Sequence, residues 1–350
     1  MTTREPREVR PVRRRQAVRR EREHQQQRWV LAFAGVVIFV ILAIPAYGYY
    51  ATFVAPPRRT AVEVNGVKHS LGEVAKVSKA FAAAYLGSSG GQPDLSTLPL
   101  QIVNNMLSEE LIVQRAPELG ITVTQDEVDA EVRSRHYPAP KAGQQTDPEA
   151  LEREYKENLR RYLDTTKFSS SDYREIVRRS LLREKLLEIL SEQIPGVQEQ
   201  VFANWIRVKD DTAVSNVQKG LTGGEEFDRL ARVYSVADSY ADDNGVVGWV
   251  PKEAFPLLDS TLFVIERDKV SDPVSNPPDT YFIKVTAGPE LREVSQNMRN
   301  LLKTRVLEKW MDQQFDPSKN DIKVNFGSLE YGWVIDKVRE LIPAPTPQAQ

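Results

Sequence analysis

Hydrophobic and polar positions divide the chain into stretches of different period. From Trp29 to Tyr50 (WVLAFAGVVIFVILAIPAYGYY) there is no charge and no alternation. At about 1.5 Å per residue this run rises roughly 33 Å, enough for a hydrocarbon core of about 30 Å, and it predicts a transmembrane helix over 29–50. Trp29 opens the run and Tyr47, Tyr49 and Tyr50 close it, as interfacial aromatics do. Two short alternating runs around Asn65-Gly66 predict a tight hairpin. LPLQIVNNMLSEELIVQRAPELG then sets Leu98, Ile102, Met106, Leu107 and Leu111 on one helical stripe, with Gly120 as the cap. Another helix opens at the capping-box pair Thr124 and Glu127. Beyond a polar, proline-containing loop at 137–149, SSSDYREIVRRSLLREKLLEILSEQI predicts a helix from a Ser171/Asp172 cap to about Ile194. Its expected core positions are Ile176, Leu181, Leu182, Leu186, Ile189 and Leu190.

Pro195-Gly196 breaks that helix, and the period changes. VFANWIRV (201–208) reads as a strand, DTAVSNVQKGL and GEEFDRLARVYS as helices, and GVVGWV as a short strand. AFPLLDSTLFVI reads as a helix, and KVSDPV and TYFIKV as closing strands. Together they predict a small α+β domain in the order β-α-α-β-α-β-β. LREVSQNMRNLLKTRVLEKWMDQQF is helical again, with Leu291, Val294, Met298, Leu301 and Leu302 on one side. IKVNFGSLEYGWV reads as extended, and residues 343–350 (PAPTPQAQ) as a disordered tail. The helices before and after the small domain lack partners among themselves. The expected fold class is therefore α+β: an N-terminal transmembrane helix, then a helical module split by an inserted α/β domain.

Charge adds a direction. Residues 1–28 hold ten Arg and four Glu, while the whole chain is −2, so the remainder carries −8. Arginines precede the apolar run and only Arg58 and Arg59 follow it closely, which predicts a cytoplasmic basic segment at 1–28 and an extracytoplasmic main domain. A cleaved signal peptide has an apolar region of about 7–15 residues, shorter than this one, although Ala46-Tyr47-Gly48 offers a poor small-x-small site. The run reads as an uncleaved anchor. Hydrophobic residues at 41% and charged residues at 27% support a packed core. The chain has no cysteine, which excludes disulfides, thiolate metal sites and a cysteine nucleophile.

Candidate chemistry is sparse. Of three histidines, His24 lies before the span, and His69 and His136 lack neighbours at ligand spacing, which argues against zinc and against a Ser-His-Asp triad. Asp238, Asp242 and Asp243 cluster before a glycine turn, but the stretch lacks the closing glutamate of a calcium loop and reads as a solvated acidic loop. Gly245 and Gly248 are followed by no GK[ST], and GxGxxG is absent. NGVVGW therefore reads as a turn entering a strand. No metal, cofactor or nucleic acid is expected.

VFANWIRV…LTGGEEFDRLARVYS…NGVVGW…LFVI…KVSDPV…TYFIKV resembles the parvulin-type peptidyl-prolyl isomerases over about 197–287. Gly224, Phe227, Leu230, Ala231, Tyr234, Ser235, Gly248, Trp249, Ser271, Pro273, Ile283, Lys284 and Val285 hold the places of the family's phrases. VEVNG, LGITVTQDEVDAEV and the SSSDY…LLREKLLEIL helix are similar to the N-terminal chaperone module of SurA- and PrsA-type foldases, extending the resemblance over roughly 61–325. It implies a SurA/PrsA-like helical module at 61–195, a parvulin-like domain at 197–287, and a C-terminal helix and strand at 290–325 packing on the helical module. The implied partners are unfolded or extended exported polypeptides.

The resemblance also locates the departures. The family's first-strand histidine falls at Trp205, its last-strand histidine at Tyr281, and its cysteine or aspartate near Ala237, beside Asp238. Its apolar proline pocket falls on Phe255, Leu258 and Phe263, in a segment one residue short. Tyr281 and Asp238 are thus the implied catalytic positions, and Trp205, Phe255, Leu258 and Phe263 the implied substrate-binding ones. Rotation about an Xaa-Pro bond needs no covalent step, only a site favouring the twisted amide. A hydroxyl at Tyr281 or an indole N–H at Trp205 could serve it, or both rings simply fill the space of the histidines. The expectation is a membrane-anchored extracytoplasmic foldase with a degenerate isomerase site. The alternatives are a non-catalytic holdase or scaffold binding extended segments, and an anchored adaptor acting through its arginines on anionic lipid.

Overall fold

The computed structural model describes residues 33–35, 37–89, 94–139 and 147–340. The expectations for residues 1–28 and 343–350, and for the first four residues of the apolar run, lie outside these. Helix α1, Phe33–Val54, ends in a π-helical turn, Tyr50–Val54, and has a mean hydropathy of 1.9 with none of its apolar window buried. It is the one helix among the described residues long and apolar enough to cross a membrane, by length and composition.

The chain packs as two compact units, Met1–Val103 with Lys323–Gln350, and Asn104–Ile322. In the first, β1 (Thr60–Val64) and β2 (Val67–Ser70) form the hairpin about Asn65-Gly66, both at positive φ. Helix α2 (Leu71–Ser89) follows, and α3 (Leu98–Arg115) begins the passage to the second unit. The stretch expected to be extended after residue 322 is mostly helix: only Ile322–Val324 (β7) is a strand, pairing beside β1, and Ser328–Arg339 is a helix, α11. Glu330 accepts the Gly327 N–H to open that helix. Val334, Ile335 and Val338 recur at helical spacing and are buried, with α11 packed on α2.

In the second unit α4 (Gln125–His136), α5 (Pro148–Thr166) and α6 (Ser170–Ser191) form a helical layer. The capping box at Thr124 and Glu127 is present. Helix α6 is capped by Ser169 rather than Ser171, since Asp172 three residues on returns the bond to the Ser169 N–H. Its buried face is Tyr173, Val177, Leu182, Leu186 and Leu190, whereas Ile189 is exposed.

A fully antiparallel sheet follows, in the order β4-β3-β6-β5. Its strands are β3 (Val197–Val208), β4 (Val246–Pro251), β5 (Val274–Asn276) and β6 (Asp279–Glu293). KVSDPV is not a continuous strand: Val270 makes one isolated bridge to Lys284 and β5 starts at Val274. Conversely β6 runs past TYFIKV through Leu291, which is 76% exposed on the strand rather than on a helix face. Helix α10 (Gln296–Gln314) starts only after the Ser295 side chain caps the Met298 N–H.

The two faces of the sheet bury different partners. Ile206, Val208 and Phe282 pack with α7 (Asp211–Thr222) and α8 (Phe227–Tyr234), through Val217, Phe227, Leu230 and Ala231. On the opposite face Val201, Ala203, Trp205, Tyr281, Ile283 and Val285 pack with α9 (Pro256–Leu262) and with Val294, Met298, Leu301 and Leu302. Alternation along β3 and β6 produces this division, and α10 also lies against α6.

Candidate functional site

The loop NGVVGW positions the centre of the second face. Gly245 adopts φ +79, and a Cβ there would sit 2.5 Å from the Trp205 carbonyl oxygen. The Trp205 N–H donates to the Gly245 carbonyl at 2.8 Å, so the turn is laid directly on β3. Asp242 holds it, its Oδ1 accepting from the N–H groups of Asn244 (2.9 Å) and Val246 (2.8 Å). The acidic loop is therefore a turn-former in this fold.

Trp205 is 1% exposed. Its Nε1 donates to Asp238 Oδ2 at 2.9 Å, and Asp238 Oδ1 accepts the Tyr240 N–H at 2.9 Å. Phe255 meets the indole edge-on at 4.9 Å between ring centres, Tyr281 does so at 5.7 Å, and Tyr240 extends the series onto Phe255 at 5.1 Å. Edge-to-face contacts at these separations are the favourable ones. Leu258 is buried beneath at 1% exposure, and Phe263 is half-buried at the margin of the same cluster. The structure thus brings all six expected site residues to one face, with Trp205 and Leu258 fully inside the core.

Tyr281 is buried to 9% exposure, and among the described residues its hydroxyl has no hydrogen-bond partner. Burial pushes its phenol above the ordinary range, opposed by Arg207 and reinforced by Asp238 and Asp279, so it stays a protonated donor at neutral pH. Sequence reading passed over its charged neighbours. Arg207 binds Asp279 at 2.7 Å and reaches the Ala237 carbonyl at 3.3 Å. Asp279 Oδ1 is buried with no partner among the described residues. Arg207 and Asp279 are 72 positions apart, and no local pattern joins them.

Beside the cluster lies a cavity of about 820 Å³, lined in part by Tyr240, Val247, Trp249, Arg292, Met298 and Thr304, and not by Trp205, Leu258 or Tyr281. Arg292 stacks over the Trp249 ring at 4.1 Å.

Comparison with known proteins finds two domain families along the chain. A family profile described as a SurA-like N-terminal domain matches residues 19–187, and one described as a PPIC-type PPIase domain matches residues 208–287. The chain belongs to the family that joins these two domains. Among curated relatives, foldase protein PrsA of Geobacillus kaustophilus (strain HTA426) is 26% identical over 240 residues, covering 65% of this chain and 83% of that protein. Foldase protein PrsA of Bacillus subtilis (strain 168) is 35% identical over 123 residues, covering 34% of this chain and 40% of the relative. Among solved structures, peptidylprolyl isomerase PrsA of Bacillus anthracis covers 68% of this chain and 96% of its own, at 16% identity and a TM-score of 0.40.

Proposed function

We propose that the protein is a membrane-anchored extracytoplasmic foldase for exported polypeptides, in which the parvulin-type site is kept as a frame but is degenerate as a catalyst. The observation that carries this reading is Trp205. On the resemblance read from the sequence it takes the place of the family's first-strand histidine; it is buried at 1% exposure and has its one donor committed to Asp238. No indole N–H is left to aim at a twisted amide. Tyr281 offers the remaining hydroxyl, on a ring that meets Trp205 edge-on at 5.7 Å. The layout expected from the sequence supports a chaperone role: a helical module at 61–195, a parvulin-like domain at 197–287, and a returning segment at 290–325.

The test uses the full chain in mild detergent. Acceleration of cis-to-trans conversion in an Xaa-Pro peptide should be absent or slight, while aggregation of an unfolded client is suppressed. Strong acceleration that Tyr281→Phe abolishes would overturn the degenerate-site reading and make Tyr281 the catalytic donor. The anchor is tested separately: in cells, the protein should partition with membranes, and residues beyond 55 should be open to protease added outside the cytoplasm. Helix α1, with ten arginines before residue 29, supports that orientation.

A further inference from the structure

We infer that α5 is a flap that acid releases: protonation of His136, where α4, α5 and α6 meet, loosens α5 from the helical layer. The device lies apart from the isomerase centre and does not depend on the foldase reading.

Helix α5 is weakly docked. Of its 19 residues only Thr166 is fully buried, while Leu151, Tyr155, Asn158, Leu159 and Tyr162 are half-buried along one stripe. Its outer face carries its own ion pairs, Arg160 with Glu157 at 2.9 Å and Arg153 with Glu149 at 3.8 Å. Pairs at these spacings support a helix without a neighbour. Lys167, at φ 59, turns the chain at the end of α5 toward α6. With so little apolar burial, the attachment of α5 falls to a few contacts with the end of α4. Arg133 makes the outer one, binding Glu152 at 2.7 Å and lying over the Tyr155 ring at 5.0 Å.

His136 makes the inner one. Its ring centre lies 5.0 Å from that of Tyr162 on α5 and 5.4 Å from that of Tyr173 on α6, and the two tyrosines stand 4.9 Å apart. Its Nε2 shares a hydrogen bond of 2.8 Å with the Tyr173 hydroxyl, and its carbonyl accepts from the Asn158 amide at 3.2 Å. One residue thus joins three helices.

Its surroundings favour a neutral ring. On α4, Arg135 acts on His136 directly and Arg133 lies one turn back. The carboxylates beside them are taken, Glu131 by Arg135 at 2.8 Å and Glu152 of α5 by Arg133. On α6, Asp172 and Arg174 flank Tyr173 and are held by Ser169 and Asp129 respectively. Burial keeps the Tyr162 and Tyr173 phenols protonated, so neither offers a negative charge. The C-terminal end of α4 favours cations, but Arg133 and Arg135 already occupy it. Burial first, and Arg135 second, hold the His136 pKa below its ordinary 6.5. The ring therefore binds a proton more tightly once α5 has lifted away. Docking is complete above that ordinary value and weakens as pH falls from it through the folded one. Lifting uncovers the aromatic surface of Tyr155, Tyr162 and Tyr173.

The test is hydrogen exchange of the full chain in mild detergent, read by mass spectrometry on peptides from residues 148–166 and corrected for the intrinsic effect of pH. Protection of α5 should fall about threefold or more from about pH 7.5 to about pH 5.5, one proton permitting at most about tenfold per pH unit. Protection of α10 should not follow it. His136→Gln keeps a partner for the Tyr173 hydroxyl but does not titrate, and should make α5 protection independent of pH over the same range. If that variant leaves α5 unprotected throughout, His136→Phe, which keeps the ring contacts, carries the comparison. Equal protection of α5 in the parent at the two pH values would overturn the inference. So would an equal fall in the parent and the non-titrating variant, or a fall that α10 shares in full. The imidazole's own titration, followed by NMR, should have its midpoint below about 6.5, and a midpoint at or above that value would overturn the flap whatever the variants do.

Discussion

The centre of the sheet and the groove against α10 are treated in opposite ways. At the centre, Trp205, Phe255 and Tyr281 pack edge to face over Leu258, and the one indole donor is matched by Asp238. Away from it, an 820 Å³ groove opens between the sheet and α10, lined among others by Gln200, Trp249, Arg292 and Thr304. A buried, satisfied cluster stabilises a fold, and an open set of hydrogen-bonding groups binds a partner.

Substituting the centre should have the largest effect on stability. Trp205→Ala removes a buried ring in contact with two others and is expected to destabilise by about 3–5 kcal/mol, read as loss of structure by circular dichroism in urea. Comparable stability to the parent would mean that the ring does not hold the sheet to α9. The groove should tolerate change far better: Thr304→Trp is exposed and should shift stability by no more than about 0.5 kcal/mol.

The two glycines of NGVVGW sharpen the contrast within a single loop. Gly245 and Gly248 both have positive φ, but a Cβ on Gly248 meets open space, whereas one on Gly245 meets the Trp205 carbonyl. Gly248→Ala should cost about 1–3 kcal/mol for the left-handed backbone alone. Gly245→Ala adds a backbone clash against the centre and should cost roughly 1–3 kcal/mol more. Equal midpoints for the two variants in thermal unfolding would show that the turn is not seated on β3.

Asp238→Ala should come next, at about 1–3 kcal/mol, because it leaves the buried indole N–H unmatched. Asp238→Asn keeps an acceptor and should recover most of that loss. If the two variants are equal, the carboxylate's charge rather than its bond to Trp205 is what the site uses.

Local patterns were legible, and distant pairings were not. The Thr124–Glu127 box, the Asn65-Gly66 hairpin and the breaking of α6 before Pro195-Gly196 depend on residues within a few positions of one another. The resemblance likewise located the face on which Trp205, Phe255 and Tyr281 meet. Three errors share one cause. Leu291 sits on a strand because β6 pairs with the far end of β3, Ile189 is exposed because neighbours choose the buried face of α6, and SLEYGWV coils because α2 offers a partner. Each is decided by tertiary contact, which overrides local period. The Arg207–Asp279 pair needed the register itself.

Among the substitutions at the centre, Tyr281→Phe should have the smallest effect at neutral pH, and it separates the hydroxyl from the ring. The ring packs on Trp205, and phenylalanine keeps that contact. The hydroxyl has no hydrogen-bond partner among the described residues, so its removal should change stability by less than about 1 kcal/mol at pH 7. Alkaline pH should expose it. Burial raises the folded phenol above its reference value of 10.0, so the unfolded chain ionises first and binds fewer protons there. Stability must then fall as pH rises past that reference, and Tyr281→Phe should make the fall shallower. Tyr162 and Tyr173 are raised by burial as well and will keep part of it. An unchanged alkaline limb would mean that the fold does not desolvate the Tyr281 phenol. The centre of the sheet would then be open like the groove, and the distinction between them would fail.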